Sequence, residues 1–290
     1  MRTPSRTLVL GARTLVMGVL NVTPDSFSDG GKFRNVRAAV ERGIVLAAAG
    51  ADIIDIGGES TRPGSKGVSA EVELRRILPV ITALVKKIEI PISIDTSKAV
   101  VAEAAILAGA EMINDVTGLR NDPRIAGVAK RLRVPLILMH MRGTPATMQK
   151  MGFARDAMSD VKKGLMRSTE LARKAGVPKS QIAIDPGIGF GKNAKQNLEL
   201  IGRLSELTRL GFPLLVGTSR KSFVGKLLGG APAHQRKWGT AATVTASVLG
   251  GAHIVRVHDV EEMVQVVRVA DAIRTPDLFD TVIEPGRGRG

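Results

Sequence analysis

Short apolar runs alternate with longer amphipathic stretches along the whole chain. Runs rich in Ile, Val and Leu fall at 14–21, 52–57, 91–95, 112–116, 135–140, 182–185, 213–217 and 253–257. Each is about 4–8 residues long, the length of a strand buried on both faces. Between them, apolar positions recur at helical spacing near 35–50, 71–88, 98–108, 123–131, 156–176, 194–209, 235–250 and 260–273. Strands apolar on both faces and separated by helices make a parallel sheet, because helices cover both of its sides. Eight such strand–helix pairs with no compositional break between them predict an α/β fold, a single (β/α)8 TIM barrel over residues 1–280. A doubly wound open sheet is the alternative. At the start, "TLVLGARTLVM" (7–17) predicts a short N-terminal β-hairpin that closes the barrel bottom, and residues 281–290 predict a disordered basic tail.

The polar residues inside these apolar runs have a consistent place. "PISIDTSK" ends its strand at Asp95, "DIIDIGG" sets Asp55 between isoleucines, "MINDVTG" carries Asn114 and Asp115, and "IAIDPGIG" carries Asp185. The other predicted strands end at Asn21, at His140, before Ser219-Arg220-Lys221, and at Arg256 and His258. Any one of these alone reads as a helix cap or a satisfied turn. In a barrel, however, the C-terminal strand ends form the active-site face. Polar groups at all eight ends predict a ligand-binding mouth.

Composition narrows what that mouth binds. The chain is 44% hydrophobic and 24% charged, as ordinary globular proteins are, and has no apolar run long enough to span a membrane. Its N-terminus lacks the cleavage-site pattern of a signal peptide, and there is no cysteine for disulfides, thiol catalysis or thiolate metal sites, so a cytoplasmic protein is expected. The net charge of +15 invites a nucleic-acid reading, but aromatics are 3% with no Tyr, and the Lys and Arg are spread through helices. Solvated basic helix faces are the simpler account, so no nucleic-acid or membrane partner is expected.

Two clusters differ in chemistry. Asp95, Asn114, Asp185 and Lys221 combine carboxylates, an amide and an ammonium. Buried carboxylates need hydrogen-bond donors, which an aminopyrimidinone-like heterocycle offers, while Asn and Lys suit its acceptors. Arg62, Arg256 and His258, with Thr61 and Ser60 nearby, suit phosphate or pyrophosphate oxygens. Asn21 suits a neutral oxygen ligand to Mg²⁺, which commonly completes its shell with phosphate and water.

The chain resembles the dihydropteroate synthase family over nearly its whole length. The matching stretches are "MGVLNVTPDSFSDGG", "DIIDIGGESTRPG", "PISIDTSKA", "MINDVTG", "LMHMRG", "IDPGIGFGK", "GTSRKSF" and "RVHDV", in the family's order. The resemblance implies a (β/α)8 barrel that joins p-aminobenzoate to 6-hydroxymethyl-7,8-dihydropterin pyrophosphate. It implies that Asp95, Asn114, Asp185 and Lys221 hold the pterin, with Met139 and Phe190 beside it. Asn21, Thr61, Arg62, Arg256 and His258 would attend the pyrophosphate, with Asn21 also on Mg²⁺. Two loops resembling mobile lids would bring Ser26, Phe27, Thr61, Arg62 and Pro63 to the aminobenzoate, joined by Phe190 and Ser222. Asp95, Lys221, Arg256 and His258 are the expected catalytic groups, and a homodimer is a family-level expectation.

With no Cys and no Ser–His–Asp arrangement, covalent catalysis is disfavoured. A dissociative substitution fits better, in which Mg²⁺ and cations assist pyrophosphate departure and Asp95 favours the pterin methylene cation. "GIGFGK" (187–192) fails as a P-loop and as a dinucleotide fingerprint. The four His lack zinc spacing, His140 reads equally as a core residue or a ligand group, and Trp238 reads as a helix-packing residue. The segment between Gln149 and Asp160, and Gln196 where the family pattern has His, depart from the resemblance. A methyltetrahydrofolate-dependent methyltransferase is the second reading, and a non-catalytic homologue or an anion or nucleic-acid binder the third.

Overall fold

The structure, a computed structural model, describes residues 1–23, 32–61, 64, 65, 67–148 and 152–277, and side chains within the first helix only from residue 36 onward. Eight strands run β1 (Leu15–Asn21), β2 (Ile53–Gly57), β3 (Ile92–Asp95), β4 (Met112–Asp115), β5 (Leu136–Met139), β6 (Ile182–Asp185), β7 (Leu215–Val216) and β8 (Ile254–Val257). The helices are α1 (Lys32–Ala48), α2 (Ala70–Leu84), α3 (Ala99–Leu107), α4 (Arg124–Leu132) and α5 (Ala157–Lys174), followed by α6 (Ala194–Gly202), α7 (Ser205–Thr208), α8 (Ser222–Leu227), α9 (Lys237–Leu249) and α10 (Val260–Arg274). The strands pair in parallel in the order β6-β5-β4-β3-β2-β1-β8-β7. A single parallel bridge between Ile184 and Leu214 joins the two ends, with Ile184 N donating to Pro213 O at 2.9 Å. This is the predicted (β/α)8 barrel.

Period-two alternation divides the apolar residues into two cores. Positions facing the helices, among them Val16, Ile54, Ile56, Ile94 and Ile113, pack with the helices in an outer core. Alternate positions face inward, and at the N-terminal end Met17, Ile53, Met112, Ile137, Leu215 and Ile254 fill the barrel interior. Further along the same strands, the inward positions become Asn21, Asp55, Asp95, Asn114, Asp185 and Arg256. Strand register aligns them, since Asn21 pairs with Gly57, Gly57 with Asp95, and Asp95 with Asn114. The floor of the mouth is thus the upper continuation of the barrel's own inner face.

Three details differ from the sequence reading. The antiparallel bridge at the N-terminus joins Arg2 to Thr7, upstream of the expected 7–17 hairpin, and Leu8 then packs into the inner core from below. Gly11 and its neighbours form a bend rather than a hairpin turn, so 8–10 runs beneath the barrel without pairing to β1. The helix expected over 194–209 breaks at Arg203, whose φ of −120° leaves the helical region; its guanidinium spans the break to Glu199 and Glu206. Helix α8, only six residues long, carries no readable period and was absent from the sequence expectation. Residues 281–290, expected as a tail, lie outside the described residues. Among the described residues no helix is long and apolar enough to cross a membrane.

Candidate active site

A cavity of about 540 Å³ opens at the C-terminal strand ends. Strands contribute Asn21, Asp95, Asn114, Met139, Asp185 and Arg256, and the following loops add Thr61, Phe190, Lys221, Ser222 and His258. The sequence-predicted residues Ser26, Phe27, Arg62 and Pro63 lie outside the described residues. All the other residues expected to hold the pterin, pyrophosphate or aminobenzoate line this one cavity, whereas Asp55, Asp115 and His140, also polar residues of the strand ends, do not.

In the floor, charges from β8, β2 and β3 interlock. Arg256 donates from Nε to Asp55 Oδ2 at 2.6 Å and from Nη2 to Asp95 Oδ2 at 2.7 Å. Burial opposes the Arg256 charge, but the two carboxylates more than restore it and raise its pKa. Burial pushes the Asp95 carboxyl up to about 7, with Arg256 pulling against the rise and Asp55 adding to it. Asn114 turns its amide nitrogen to Asp55 Oδ2 at 3.0 Å, and its Oδ1 is buried with no partner. The amide therefore offers its carbonyl end, where the sequence suggested a donor for a ligand's acceptors.

The β6–β7 wall depends on glycine. Asp185 Oδ1 accepts from Gly187 N at 2.7 Å, and Gly187 has φ +65° with His140 O so close that a Cβ would lie 1.9 Å from it. Gly189, at φ +88°, lets Lys221 pass, since a Cβ there would meet its Cδ at 3.0 Å. The Lys221 ammonium sits 4.0 Å from the Phe190 ring centroid, within cation–π range. Burial lifts Asp185 to about 6 and lowers Lys221 to about 8, with Arg256 adding to the latter shift. Behind this wall, buried Lys192 donates to Gly187 O at 2.9 Å and Phe190 O at 3.0 Å, and lies 3.2 Å from His140 Nδ1. The "GFGK" lysine is therefore a strut for the loop carrying Phe190. His140 does not line the cavity; burial and then Lys192 hold it far below its usual range, at about 3, so it is a neutral core residue.

The β8 side is less cationic than the sequence implied. His258 Nδ1 lies 3.0 Å from Ser219 Oγ, and burial, reinforced by Arg256, lowers its pKa to about 3. It acts as a neutral hydrogen-bonding group at physiological pH. Arg220, held at φ +58°, sends Nε to Asp259 Oδ2 at 3.0 Å. Across the mouth, Lys98 is clamped between Glu59 and Glu73, the latter at 2.6 Å and with no exposed surface. A second cavity of about 430 Å³ opens beside them and shares Thr61, Asp95 and Val116 with the first.

Some residues were not legible as site residues beforehand. Arg236 and Val116 line the main cavity, and nothing in their local sequence separates them from ordinary loop and helix residues. Trp238, expected to pack between helices, is instead 79% exposed on α9, because Gly239 rather than the indole faces α8. Gln196 completes a capping box with Asn193 and also donates to Ala154 O at 2.7 Å, fastening α6 to the segment that departs from the family pattern.

Residues 17–258 match the family of pterin binding enzymes. The chain belongs to this family. It is 52% identical over 263 residues to the dihydropteroate synthase of Synechocystis sp., covering 91% of both chains. Its fold superposes with a TM-score of 0.87 on the dihydropteroate synthase of Clostridium difficile determined in the presence of pteroic acid, at 46% identity, covering 92% of this chain and 99% of that one. The Xanthomonas albilineans dihydropteroate synthase in complex with 7,8-dihydropteroate gives a TM-score of 0.84 at 42% identity, covering 92% and 96%.

Proposed function

We propose that the protein is a dihydropteroate synthase, joining p-aminobenzoate to 6-hydroxymethyl-7,8-dihydropterin pyrophosphate to give 7,8-dihydropteroate and pyrophosphate in folate biosynthesis. The observation that carries this reading is the convergence of both residue clusters on one cavity, in a chain of the pterin-binding family. In this reading Asp95, Asn114, Asp185 and Lys221 hold the pterin between Met139 and Phe190. Asp185 accepts from the ring's N–H groups, and Lys221 donates to its acceptors. Thr61 donates to the pyrophosphate, as does the Ser219–His258 pair through the one proton not spent on their mutual hydrogen bond, and Ser222 and Phe190 border the aminobenzoate, joined by Ser26, Phe27, Arg62 and Pro63.

The charge balance favours positive charge on the pterin methylene and leaves the pyrophosphate's charge to be met by an ion. Two of the Arg256 donors are taken by carboxylates and His258 is neutral, so the described residues place little uncompensated positive charge at the leaving group. Asp95 and Asp185 lie on the pterin side, where positive charge delocalises into the ring as the C–O bond breaks. The arylamine nitrogen then forms the new C–N bond and gives up its proton, and exclusion of water from the carbon keeps hydrolysis from competing.

Mg²⁺ suits the donor set as an ion brought by the pyrophosphate. Among the described residues no three His, Cys, Asp or Glu groups converge on a metal position. Asn21 Oδ1 and Asp95 Oδ2 flank the space over Gly57, where a Cβ would lie 3.7 Å from each. Asn21 would supply the protein oxygen, and the ion would offset the leaving group's charge. A cytoplasmic homodimer completes the proposal; exposed Leu227 on α8, Leu228 just past its end and Trp238 on the adjoining α9 offer an apolar face for a second copy.

Pyrophosphate release from dihydropterin pyrophosphate with Mg²⁺ tests the reaction. Release that requires p-aminobenzoate and yields dihydropteroate by mass supports it. Pterin binding without release overturns it in favour of a methyltransferase or a non-catalytic homologue.

A further inference from the structure

Asp55 has no exposed surface and does not line the cavity. Its Oδ2 nevertheless accepts from two cavity residues on different strands, Arg256 Nε at 2.6 Å and Asn114 Nδ2 at 3.0 Å. The oxygen that faces Asn114 is the one already accepting from Arg256 Nε, so it meets Asn114 as an acceptor. The end of the Asn114 amide facing it must therefore be the NH₂ group. A carboxamide has one donor end and one acceptor end, so fixing the first fixes the second. Asn114 Oδ1 is the end left buried without a partner, on a residue that lines the cavity.

We infer that Asp55 is a positioning residue that sets the polarity of Asn114, and through it the hydrogen-bond pattern the site demands of its ligand. The β4 side of the cavity presents a carbonyl acceptor and selects a ring edge bearing an N–H at that point. For this purpose the pterin reading proposed above is taken as given. Neutralising Arg256 does not require Asp55 alone, because Arg256 also pairs with Asp95 at 2.7 Å. Asp55 is the partner that Asn114 and Arg256 share.

The substitution Asp55→Asn keeps the shared acceptor: its carbonyl oxygen takes the place of Oδ2 and accepts from both Arg256 and Asn114, while its nitrogen takes the place of the unpartnered Oδ1. Asp55→Leu removes the acceptor and leaves the Asn114 amide free to turn either end to the cavity. Arg256 keeps Asp95 in both variants.

The test is equilibrium binding of 6-hydroxymethylpterin to wild type, D55L and D55N, with thermal melts to establish folding. D55L is expected to bind at least about tenfold more weakly, the scale of one lost buried donor–acceptor match, and D55N to bind within about threefold of wild type. D55L binding like wild type, or a folded D55N binding no better than D55L, overturns the assignment. Should D55L fail to fold, the exchange measurement that follows decides. Side-chain amide exchange of Asn114 in the ligand-free wild type is a second, independent measurement: slowed exchange supports the Asp55 contact and free exchange overturns it. Wild type that binds no pterin but shows a protected Asn114 amide overturns the functional reading while leaving the Asp55 contact standing.

Discussion

Arg220 and Asp259 form a two-pronged ion pair, with Arg220 Nε 3.0 Å from Asp259 Oδ2 and a second contact from Nη2 to Oδ1. The pair fastens the loop after β7, which carries Lys221, to the loop after β8, which carries His258. Arg236 extends the brace by donating to Arg220 O at 2.9 Å. Lys221 and His258 are therefore held in register by an ion pair whose arginine is itself part of the cavity wall.

The left-handed φ of Arg220 separates backbone from side chain as the source of this order. Arg220→Gly keeps a backbone that tolerates φ +58° and removes the guanidinium. It is expected to lower kcat/KM by about tenfold or more through misplacement of Lys221 and His258. Asp259→Asn should lose a similar amount. Steady-state kinetics of the two variants and their combination check this, since loss through one shared contact is not additive.

Pterin affinity should depend on pH from both sides. Asp185, lifted by burial to about 6, must be ionised to accept from the ring, so affinity falls as pH drops through that value. Lys221, lowered by burial to about 8, must be protonated to donate, so affinity falls again as pH rises through it. Asp95, lifted by burial to about 7, contributes to the same acid limb, so Asp185→Asn should leave a limb near 7 and Lys221→Met should remove the alkaline one, each with weaker binding overall. Titration calorimetry across pH 5–9 reads both limbs.

The same carboxyl leaves a mark on stability. Because Asp185 is raised from its ordinary 3.8 to about 6, the folded protein holds an extra proton between those values, and stability declines as pH rises across that window. Asp185→Asn should therefore be stabilised relative to wild type by about 3 kcal/mol more at pH 8 than at pH 4. Paired chemical denaturation curves at the two pH values measure the difference.

Lys98 joins Glu73, which is fully buried, to Glu59 at the stem of the loop bearing Thr61. Glu73 Oε1 already lacks a hydrogen-bond partner. Lys98→Met would leave the buried carboxylate without its cation, at a cost of about 3–5 kcal/mol. Adding Glu73→Gln should recover part of the loss, as seen by denaturant midpoints.

The N-terminal strap is expected to matter for stability and not for catalysis. Glu111 accepts from Thr3 Oγ1 at 2.6 Å and Ser5 N at 2.9 Å, while Gln181 and Arg2 exchange hydrogen bonds at 2.7 and 2.8 Å, all on the barrel face opposite the cavity. Glu111→Ala should cost about 1–2 kcal/mol and leave kcat/KM unchanged.

The barrel was legible because its strands are apolar on both faces, and the floor was legible because Asp95, Asn114 and Asp185 interrupt those faces at one end. Sequence period gives no such signal for α8, which is too short, or for the break at Arg203, which follows from a local backbone angle. Nor does it fix side-chain direction: which end of Asn114 faces the cavity depends on Asp55, fifty-nine residues away in the chain. Trp238 misled because an apolar residue in a helix is usually buried, and burial is decided by the neighbouring elements. The neutrality of His258 likewise follows from burial and nearby cations that linear spacing does not reveal.

The single bridge between Ile184 and Leu214 has a consequence for what a ligand does to the barrel. Asp185 stands immediately past that bridge on one strand, and Lys221 follows β7 on the other side. A ring gripped by both would act as a missing rung, stitching the wall where the ladder is thinnest. The enzyme without ligand would be a barrel with a slit, and the filled one a closed hoop. Amide exchange at 182–185 and 214–217 should slow on pterin binding more than at the fully laddered β1–β2 junction, and equal slowing at both places would show that the slit bears no special load.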